Sequence, residues 1–499
     1  MKPVYTDSAV TEKEAKARYA LPENIMMENA AAALERALDE TDSGNKDKFA
    51  LILCGGGNNG GDGLALARRI QGKIECAVCL FAESKTQGAK LQKLAAQKNG
   101  VKFLEFSETL LTKLSSDKSK HLIIFDCIFG TGFHGELPPQ IHSAFLSINK
   151  TECTKIACDI PSGIGKDGNI ASYDENGNPL AFRADITITM GALKTALYTD
   201  FAKDFTGHII SAPLGISDAL FEECAEPDAY ILERTDMILP ERAKKSAHKG
   251  MFGHTVSVLG EKAGAGIIAA DAALHFGSGF VSVFQSGLCK SAFKIPCTLM
   301  DAESFPPNAN ALILGSGLGR SAKAFDFAEK RIIPFIFAMK NPACVIDADM
   351  FYYPELLPLL DKLNENKKVQ VILTPHPKEL SSVLSLCAIT GFDALKQRFD
   401  AARAFAARFP NLVLIAKGAI TYIAHGKNIF IADTGSPALA KAGSGDVLAG
   451  LCAALLAQNY GAPEAAKTAV IAHGLASKMQ KASYALTPLS LIKNLEKLQ

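Results

Sequence analysis

The strand-like run Phe49-Ala-Leu-Ile-Leu53 leads through Cys54 into Gly55-Gly-Gly-Asn-Asn-Gly-Gly-Asp-Gly63 and then into the helical run Leu64-Ala-Leu-Ala-Arg-Arg-Ile70. Glycines between a strand and a helix let the backbone approach a ligand, and they direct amide N–H groups and the positive helix end at an anion. We therefore predict a phosphate-binding turn. The spacing matches neither the dinucleotide-binding fingerprint nor the P-loop. The alternative is a simple tight turn, which needs only one or two glycines.

Outward from this stretch, apolar runs of strand length alternate with helical stretches. In the first half the runs are 49–53, 74–81, 101–106, 121–127, 155–160, 184–190 and 208–212. In the second half they are 255–259, 280–284, 311–314, 343–346, 369–373, 412–415, 421–425 and 429–431, with a helix over 266–275. Runs that are apolar on both faces predict parallel sheets covered by helices. The close pair around Gly426 predicts an antiparallel hairpin.

The length of 499 residues predicts more than one domain. An acidic stretch, Phe221-Glu-Glu-Cys-Ala-Glu226, interrupts the alternation. We predict an α/β protein with an N-terminal domain at 1–218, a linker at 219–234 and a C-terminal domain at 235–499.

Composition excludes several classes of protein. Lys and Arg number 53 against 52 Asp and Glu, so no global charge attracts nucleic acid or an anionic membrane. The charged N-terminus lacks an apolar signal core, and the apolar run 447–457 is too short to cross a bilayer. The 12 cysteines lie mostly in apolar runs, which is typical of free thiols in a reducing compartment. We expect a cytoplasmic protein.

Two later strand ends in the first half carry carboxylates. They are Asp126-Cys-Ile-Phe-Gly-Thr-Gly132 and Asp159-Ile-Pro-Ser-Gly163. In an open parallel sheet, ligands bind beyond the carboxyl ends of the strands, where these segments meet the glycine-rich turn. Asp126, Asp159, Ser162 and Asn59 offer hard oxygen ligands for a cation, and one carboxylate could act as acid or base. The alternative is that each Asp only caps the turn that follows it.

These motifs, together with Met190-Gly-Ala-Leu-Lys194, resemble the YjeF N-terminal family of NAD(P)H-hydrate epimerases over residues 1–215. The resemblance implies a Rossmann-like three-layer fold. It also implies a potassium ion held by Asn59, Asp126 and Ser162, and Asp159 as the catalytic proton-transfer group. The implied substrate contacts are Asn58, Asn59, Gly60, Gly61, Asp62, Gly130, Thr131, Gly132, Phe133, His134, Gly135, Glu136 and Asp159.

The strongest motif of the second half is Lys441-Ala-Gly-Ser-Gly-Asp446, which opens an apolar helix. Gly443 to Gly445 supply backbone amides for a phosphate, and Asp446 is placed as a general base toward a hydroxyl beside it. The alternative is a helix capped by Ser444. A second segment, Lys417-Gly-Ala-Ile-Thr421, could contact nucleotide phosphates through ammonium, backbone and hydroxyl.

With Asp347-Ala-Asp349 and Thr374-Pro-His-Pro377, these motifs resemble the YjeF C-terminal family, ribokinase-like NAD(P)H-hydrate dehydratases, over residues 235–495. The resemblance implies a ribokinase-like α/β fold. The implied contacts to the hydrated substrate are Ala265, Gly317, His376 and the catalytic Asp446. The implied contacts to the nucleotide are Lys417, Gly418, Ala419, Ile420, Thr421, Gly443, Ser444 and Gly445.

Both resemblances together imply nicotinamide nucleotide repair. The N-terminal domain would interconvert the R and S epimers of hydrated NADH and NADPH, and the C-terminal domain would dehydrate the S form. The phosphoryl donor would be ADP or ATP with Mg²⁺. We expect a homo-oligomer without nucleic-acid or membrane partners. Two alternatives stay open: a vitamin or sugar kinase with a fused binding domain, and a non-catalytic scaffold role for the N-terminal domain.

Overall fold

The computed structural model describes residues 1–44, 46–289, 294–340 and 342–498. The chain divides into two compact units, one of residues 3–229 and one of residues 1–2 with 230–499. The division lies inside the segment predicted as a linker, which contains a short helix and a strand. The predicted domain roles stay predictions.

The N-terminal unit is a parallel sheet between two layers of helices. Its elements are β1 (Lys2–Tyr5), α1 (Ser8–Arg18), α2 (Glu23–Glu40), β2 (Asp47–Cys54), α3 (Asn58–Ile70), β3 (Glu75–Leu80), α4 (Gln87–Lys98), β4 (Lys102–Leu104), α5 (Glu108–Ser116), β5 (Lys120–Cys127), α6 (Pro139–Ile148), β6 (Thr154–Cys158), β7 (Ile186–Met190), β8 (Leu193–Lys194), α7 (Lys203–Thr206), β9 (His208–Ala212) and α8 (Asp218–Glu222). The strand order is β4-β3-β2-β5-β6-β7-β9, and all neighbouring strands in it pair in parallel. β1 pairs with β8.

Alternate side chains of these strands enter different cores. Ile52 and Phe125 pack with α2 and α3, whereas Leu53 and Ile124 pack with α6 on the other face. Cys76 and Cys79 fall into different cores in the same way, as their spacing on a strand predicts. The two cysteines therefore lie on opposite faces of the sheet, so they cannot bind one metal ion together or form a disulfide with each other.

The C-terminal unit is also α/β. Its elements are β10 (Ala229–Ile231), β11 (His254–Leu259), α9 (Ala263–His275), β12 (Phe280–Gln285), β13 (Met300–Ala302), β14 (Ala311–Leu314), α10 (Ala322–Phe327), α11 (Ile333–Ala338), β15 (Ala343–Ile346), α12 (Leu356–Glu365), β16 (Gln370–Leu373), α13 (Pro377–Leu386), α14 (Arg398–Arg408), β17 (Val413–Ala416), β18 (Thr421–His425), β19 (Asn428–Ala432), α15 (Ser444–Ala457), α16 (Ala462–Lys478) and α17 (Pro488–Leu495).

Its strands follow the order β13-β12-β11-β14-β15-β16-β17-β18-β19-β10. β18 runs antiparallel to both of its neighbours, so the predicted hairpin at Gly426 is confirmed. The apolar helices α9, α15 and α16 form one core with the sheet. In the described parts of the chain, no helix has the length and apolarity that a bilayer crossing requires.

Candidate active sites

A cleft of about 480 Å³ opens at the carboxyl ends of β2, β5 and β6 in the N-terminal unit. Its walls come from the glycine-rich turn, from the segment after β5 and from α1 and α2. The predicted site residues that line it are Asn58, Asn59, Asp62, Gly130, Thr131, Gly132, Phe133 and Asp159. His134, Gly135 and Glu136 are exposed and are not among the lining residues. Gly60 and Gly61, which are buried in α3, are also absent from the lining. The structure therefore gathers most of the predicted contacts, but not these five.

The glycine-rich turn is shaped by close backbone contacts. A Cβ on Gly60 would lie 1.9 Å from the carbonyl oxygen of Gly55, and one on Gly56 would lie 2.4 Å from that of Glu83. Larger residues would therefore push these segments apart. Helix α3 begins at Asn58, and among the described residues no side chain caps it. Its first amide groups are thus available to a bound anion.

Asp126 is fully buried beneath the cleft and is held by Ser162. Its Oδ2 accepts a hydrogen bond from the Ser162 amide at 2.7 Å, and its Oδ1 accepts one from the Ser162 hydroxyl at 2.7 Å. Burial raises the pKa of Asp126 to about 6, although these hydrogen bonds oppose the rise. The carboxylate thus organises the loop that follows β6.

The predicted cation ligands converge around Phe129. Asn59 donates to the Phe129 carbonyl at 2.8 Å, and the Phe129 amide donates to the Ser162 hydroxyl at 2.8 Å. The Oδ1 atom of Asn59 is buried without a hydrogen-bond partner among the described residues. An orphaned amide oxygen near the Phe129 backbone, which the Ser162 hydroxyl also contacts, fits a cation that prefers oxygen ligands.

Asp159 sits at a strained position directly after β6. Its φ of +71° is left-handed, a conformation that Asp tolerates better than most residues. The amides of Thr131 and Met190 each donate to its carboxylate at 3.3 Å. Its Oδ1 also lies 2.7 Å from Nζ of the buried Lys194. The carboxylate is therefore fixed at the cleft with a dedicated positive partner.

In the C-terminal unit, polar residues follow the carboxyl ends of β14, β15, β16 and β17. Thr374 donates to Oδ1 of Asp347 at 2.7 Å, and the Ser316 hydroxyl lies 3.2 Å from Oδ2. The Lys417 ammonium lies 3.3 Å from Oδ1 of Asp347 and 3.9 Å from Oε2 of Glu379. One lysine thus lies between two buried carboxylates at the sheet edge.

Helix α15 brings the predicted phosphate-binding turn to this lysine. Gly443 has a φ of +90°, and Ser444 is the first helical residue. A Cβ on Gly445 would lie 3.2 Å from Nζ of Lys417. The Ser444 hydroxyl donates to the carbonyls of Leu439 and Lys441 at 2.8 and 2.9 Å, so it fastens the turn and does not cap α15. The serine-cap alternative is therefore wrong.

Asp446 lies in the first turn of α15, and its pKa is raised to about 7. Burial is the main cause, the nearby Asp347 carboxylate adds to it, and Lys417 opposes it. A carboxylate with a pKa near neutrality is suited to accept a proton.

The remaining predicted residues surround this centre. A Cβ on Gly317 would lie 3.0 Å from Cβ of Ala265, so these two positions are adjacent. His376 caps α13, accepting from the Glu379 amide at 3.2 Å through Nδ1. Burial lowers the pKa of His376. Gly418, Ala419, Ile420 and Thr421 form the turn into β18, in which the side chain of Ile420 is buried.

Both units of the chain are similar to known proteins. A family model described as YjeF-related protein N-terminus matches residues 23–196, and one described as NAD(P)H-hydrate dehydratase matches residues 256–497. A "Bifunctional NAD(P)H-hydrate repair enzyme Nnr" from Helicobacter pylori is 42% identical over 99% of both chains. A protein of the same name from Coxiella burnetii is 31% identical over 85% of this chain and 84% of its own.

A solved structure titled as ADP/ATP-dependent NAD(P)H-hydrate dehydratase from Bacillus subtilis, co-crystallized with ATP/Mg²⁺, is 22% identical with a TM-score of 0.44. It covers 54% of this chain and 98% of that one. The sequence relatives confirm the predicted family and favour hydrate repair over the small-molecule kinase. The chain belongs to the family of bifunctional NAD(P)H-hydrate repair enzymes, in which epimerase and dehydratase activities share one polypeptide.

Proposed function

We propose that the N-terminal cleft interconverts the R and S forms of hydrated NADH and NADPH, and that the C-terminal centre converts the S form to NAD(P)H. The observation that carries this division is that each unit places its own partly buried carboxylate near its own lysine, Asp159 with Lys194 and Asp446 near Lys417. Two separate acid–base centres suit two separate reactions.

In the N-terminal unit, the amides at the start of α3 bind the phosphates of the hydrated dinucleotide. Asp159 transfers a proton at the hydrated ring. Asn59, Asp126 and Ser162 would hold a potassium ion, which supplies positive charge beneath the substrate. The unpartnered Asn59 oxygen supports this assignment. The potassium requirement can be tested by replacing potassium with sodium in the epimerisation assay.

In the C-terminal unit, water is a poor leaving group, so the hydroxyl at C6 of the ring is first phosphorylated. Asp446 takes the proton of this hydroxyl, and the hydroxyl oxygen attacks the terminal phosphorus of ADP or ATP. The amides of Gly443 to Gly445 and the Lys417 ammonium stabilise the charge on the transferred group. Phosphate then leaves C6 as C5 loses a proton, which restores the ring double bond. The products are NAD(P)H, inorganic phosphate and a nucleotide shortened by one phosphate.

Mg²⁺ is expected to enter with the nucleotide. The carboxylates of Asp347, Glu379 and Asp446 lie near Lys417, so a free nucleotide polyanion would meet net negative charge there. A magnesium complex reduces that repulsion. The homo-oligomer and the cytoplasmic location stay predictions. Light scattering of the purified chain tests the first.

The experiment that tests the proposal is incubation of hydrated NADH with the full chain, ADP or ATP, and Mg²⁺. Recovery of the reduced-ring absorbance, with one inorganic phosphate per NADH, supports it. A stable phosphorylated product would support the kinase instead.

A further inference from the structure

Glu12 is a second carboxyl group in the epimerase cleft, and no sequence motif marks it. It lies on α1, whose Thr11 and Ala15 are buried against the unit, and it lines the cleft together with Lys16. Glu12 makes no hydrogen bond or salt bridge with the residues that the structure describes. Its carboxyl group is therefore available to a ligand in the cleft.

Lys194 links Glu12 electrostatically to Asp159. The Lys194 ammonium is buried, donates to the carbonyls of Met190 and Ala192 at 2.8 and 3.1 Å, and pairs with Asp159 at 2.7 Å. Glu12 interacts with both Lys194 and Asp159. Only Asp159 contacts this ammonium directly, so the two carboxyl groups have different surroundings.

The surroundings of Glu12 favour its neutral form more than water would. Burial raises the pKa of Glu12, the Asp159 and Asp7 carboxylates add to the rise, and Lys194 and Lys16 oppose it. Asp62 also interacts with Glu12, but its Oδ2 lies 4.0 Å from Sγ of the buried Cys158. Asp159 pairs with the Lys194 ammonium at 2.7 Å, whereas Glu12 has no such ion pair among the described residues. Two carboxyl groups with different environments in one site can act as acid and base.

We propose that Glu12 and Asp159 form the acid–base pair of epimerisation, an inference that rests on the proposed epimerase function. Glu12 donates a proton to the hydroxyl at C6, the C6–O bond breaks, and the lone pair of N1 forms a C6=N1 double bond as water leaves. Water then adds to the opposite face of C6 and gives a proton to Asp159. One C–O bond breaks and one forms, and one proton moves from Glu12 to Asp159. The reverse turnover, or exchange with solvent, restores both groups.

The test measures R-to-S conversion in full-length Glu12→Gln, Glu12→Ala and Glu14→Gln without nucleotide. Glu14 is exposed on the same helix, so Glu14→Gln should match the wild type. Glu12→Gln should lose about a hundredfold or more in rate, which is the scale of a lost general acid. Added formate should restore part of the activity of Glu12→Ala, because it can replace the missing proton donor but cannot repair a misfolded cleft.

Glu12→Gln activity within about threefold of the wild type would overturn the proposal. So would a loss in Glu12→Ala that formate does not restore. A wild type that does not epimerise at all would instead overturn the proposed function, which separates the two failures.

Discussion

The ammonium group of Lys417 lies 3.3 Å from Oδ1 of Asp347. The two groups act in opposite directions on the pKa of Asp446, which Asp347 raises and Lys417 lowers. Burial dominates and brings this pKa to about 7. A charge pair from two strand ends thus adjusts a pKa that burial mainly sets.

This pKa predicts the pH dependence of dehydration. Asp446 must be deprotonated to act as base, so kcat/KM for the S epimer should rise as pH increases through about 7. Lys417→Met removes the charge that lowers this pKa, so the midpoint should move to higher pH. Lys427→Met, on the exposed β18–β19 turn, should leave it unchanged. A pH-independent rate in the wild type would contradict the assignment.

Asp446→Asn tests the base directly. The amide keeps the shape of the side chain but cannot accept the proton, so dehydration should fall about a hundredfold or more. Epimerisation should be unchanged, because it belongs to the other unit. Both rates can be read in one reaction from the consumption of each epimer. An Asn variant that dehydrates at the wild-type rate would remove Asp446 from the mechanism.

Asp126→Ala should lower epimerisation and spare dehydration, which is the reverse of the effect expected for Asp446→Asn. It removes a proposed cation ligand and the acceptor of two Ser162 hydrogen bonds, so epimer exchange should fall. Dehydration of the S form should continue. The milder Asn59→Ala should raise the potassium concentration needed for half-maximal epimerisation. Equal loss of both activities would indicate general unfolding rather than damage to one site.

Gly443→Ala tests the phosphate turn. A left-handed residue with a side chain costs about 1–2 kcal/mol, and the added Cβ would also lie 2.5 Å from Cγ of Pro488. Thermal stability and dehydration should both fall. Gly426→Ala is the matched control, because Gly426 also has positive φ but has space around it and lies in the hairpin turn. Its dehydration rate should stay at the wild-type value, since only the turn at Gly443 belongs to the site.

Much of the architecture could be predicted because the buried strands are long apolar runs. The runs 208–212, 311–314, 343–346 and 421–425 coincide with strands at both ends. The edge strands β4 and β13 are short, and β1, β8 and β10 have two to four residues, too few for an alternating pattern to stand out. The edge strand β13 and the short strands β1, β8 and β10 were therefore missed.

Candidate site residues could be predicted where a chemically suitable side chain lies within a short, recognisable sequence motif. Asp126 lies at the end of β5, Asp159 directly follows β6, and Asp446 lies in the first turn of α15, each within a compact motif. Glu12 could not be predicted as a site residue, because five of the seven residues from 12 to 18 are charged and the segment therefore resembles a solvent-exposed helix. Its place in the cleft depends on the packing of α1. His134 to Glu136 continue a motif in sequence, but the chain turns outward there.

The most direct test of the account starts from a mixture of R and S hydrated NADH displaced from equilibrium, treated with the full chain in two steps. Without nucleotide, the epimers should return to their equilibrium ratio and no NADH should form. After ADP or ATP and Mg²⁺ are added, both epimers should disappear into NADH with one phosphate released per molecule. Two results would contradict the division of labour between the two units. One is epimerisation that requires nucleotide, and the other is R hydrate that remains after the S hydrate has been consumed.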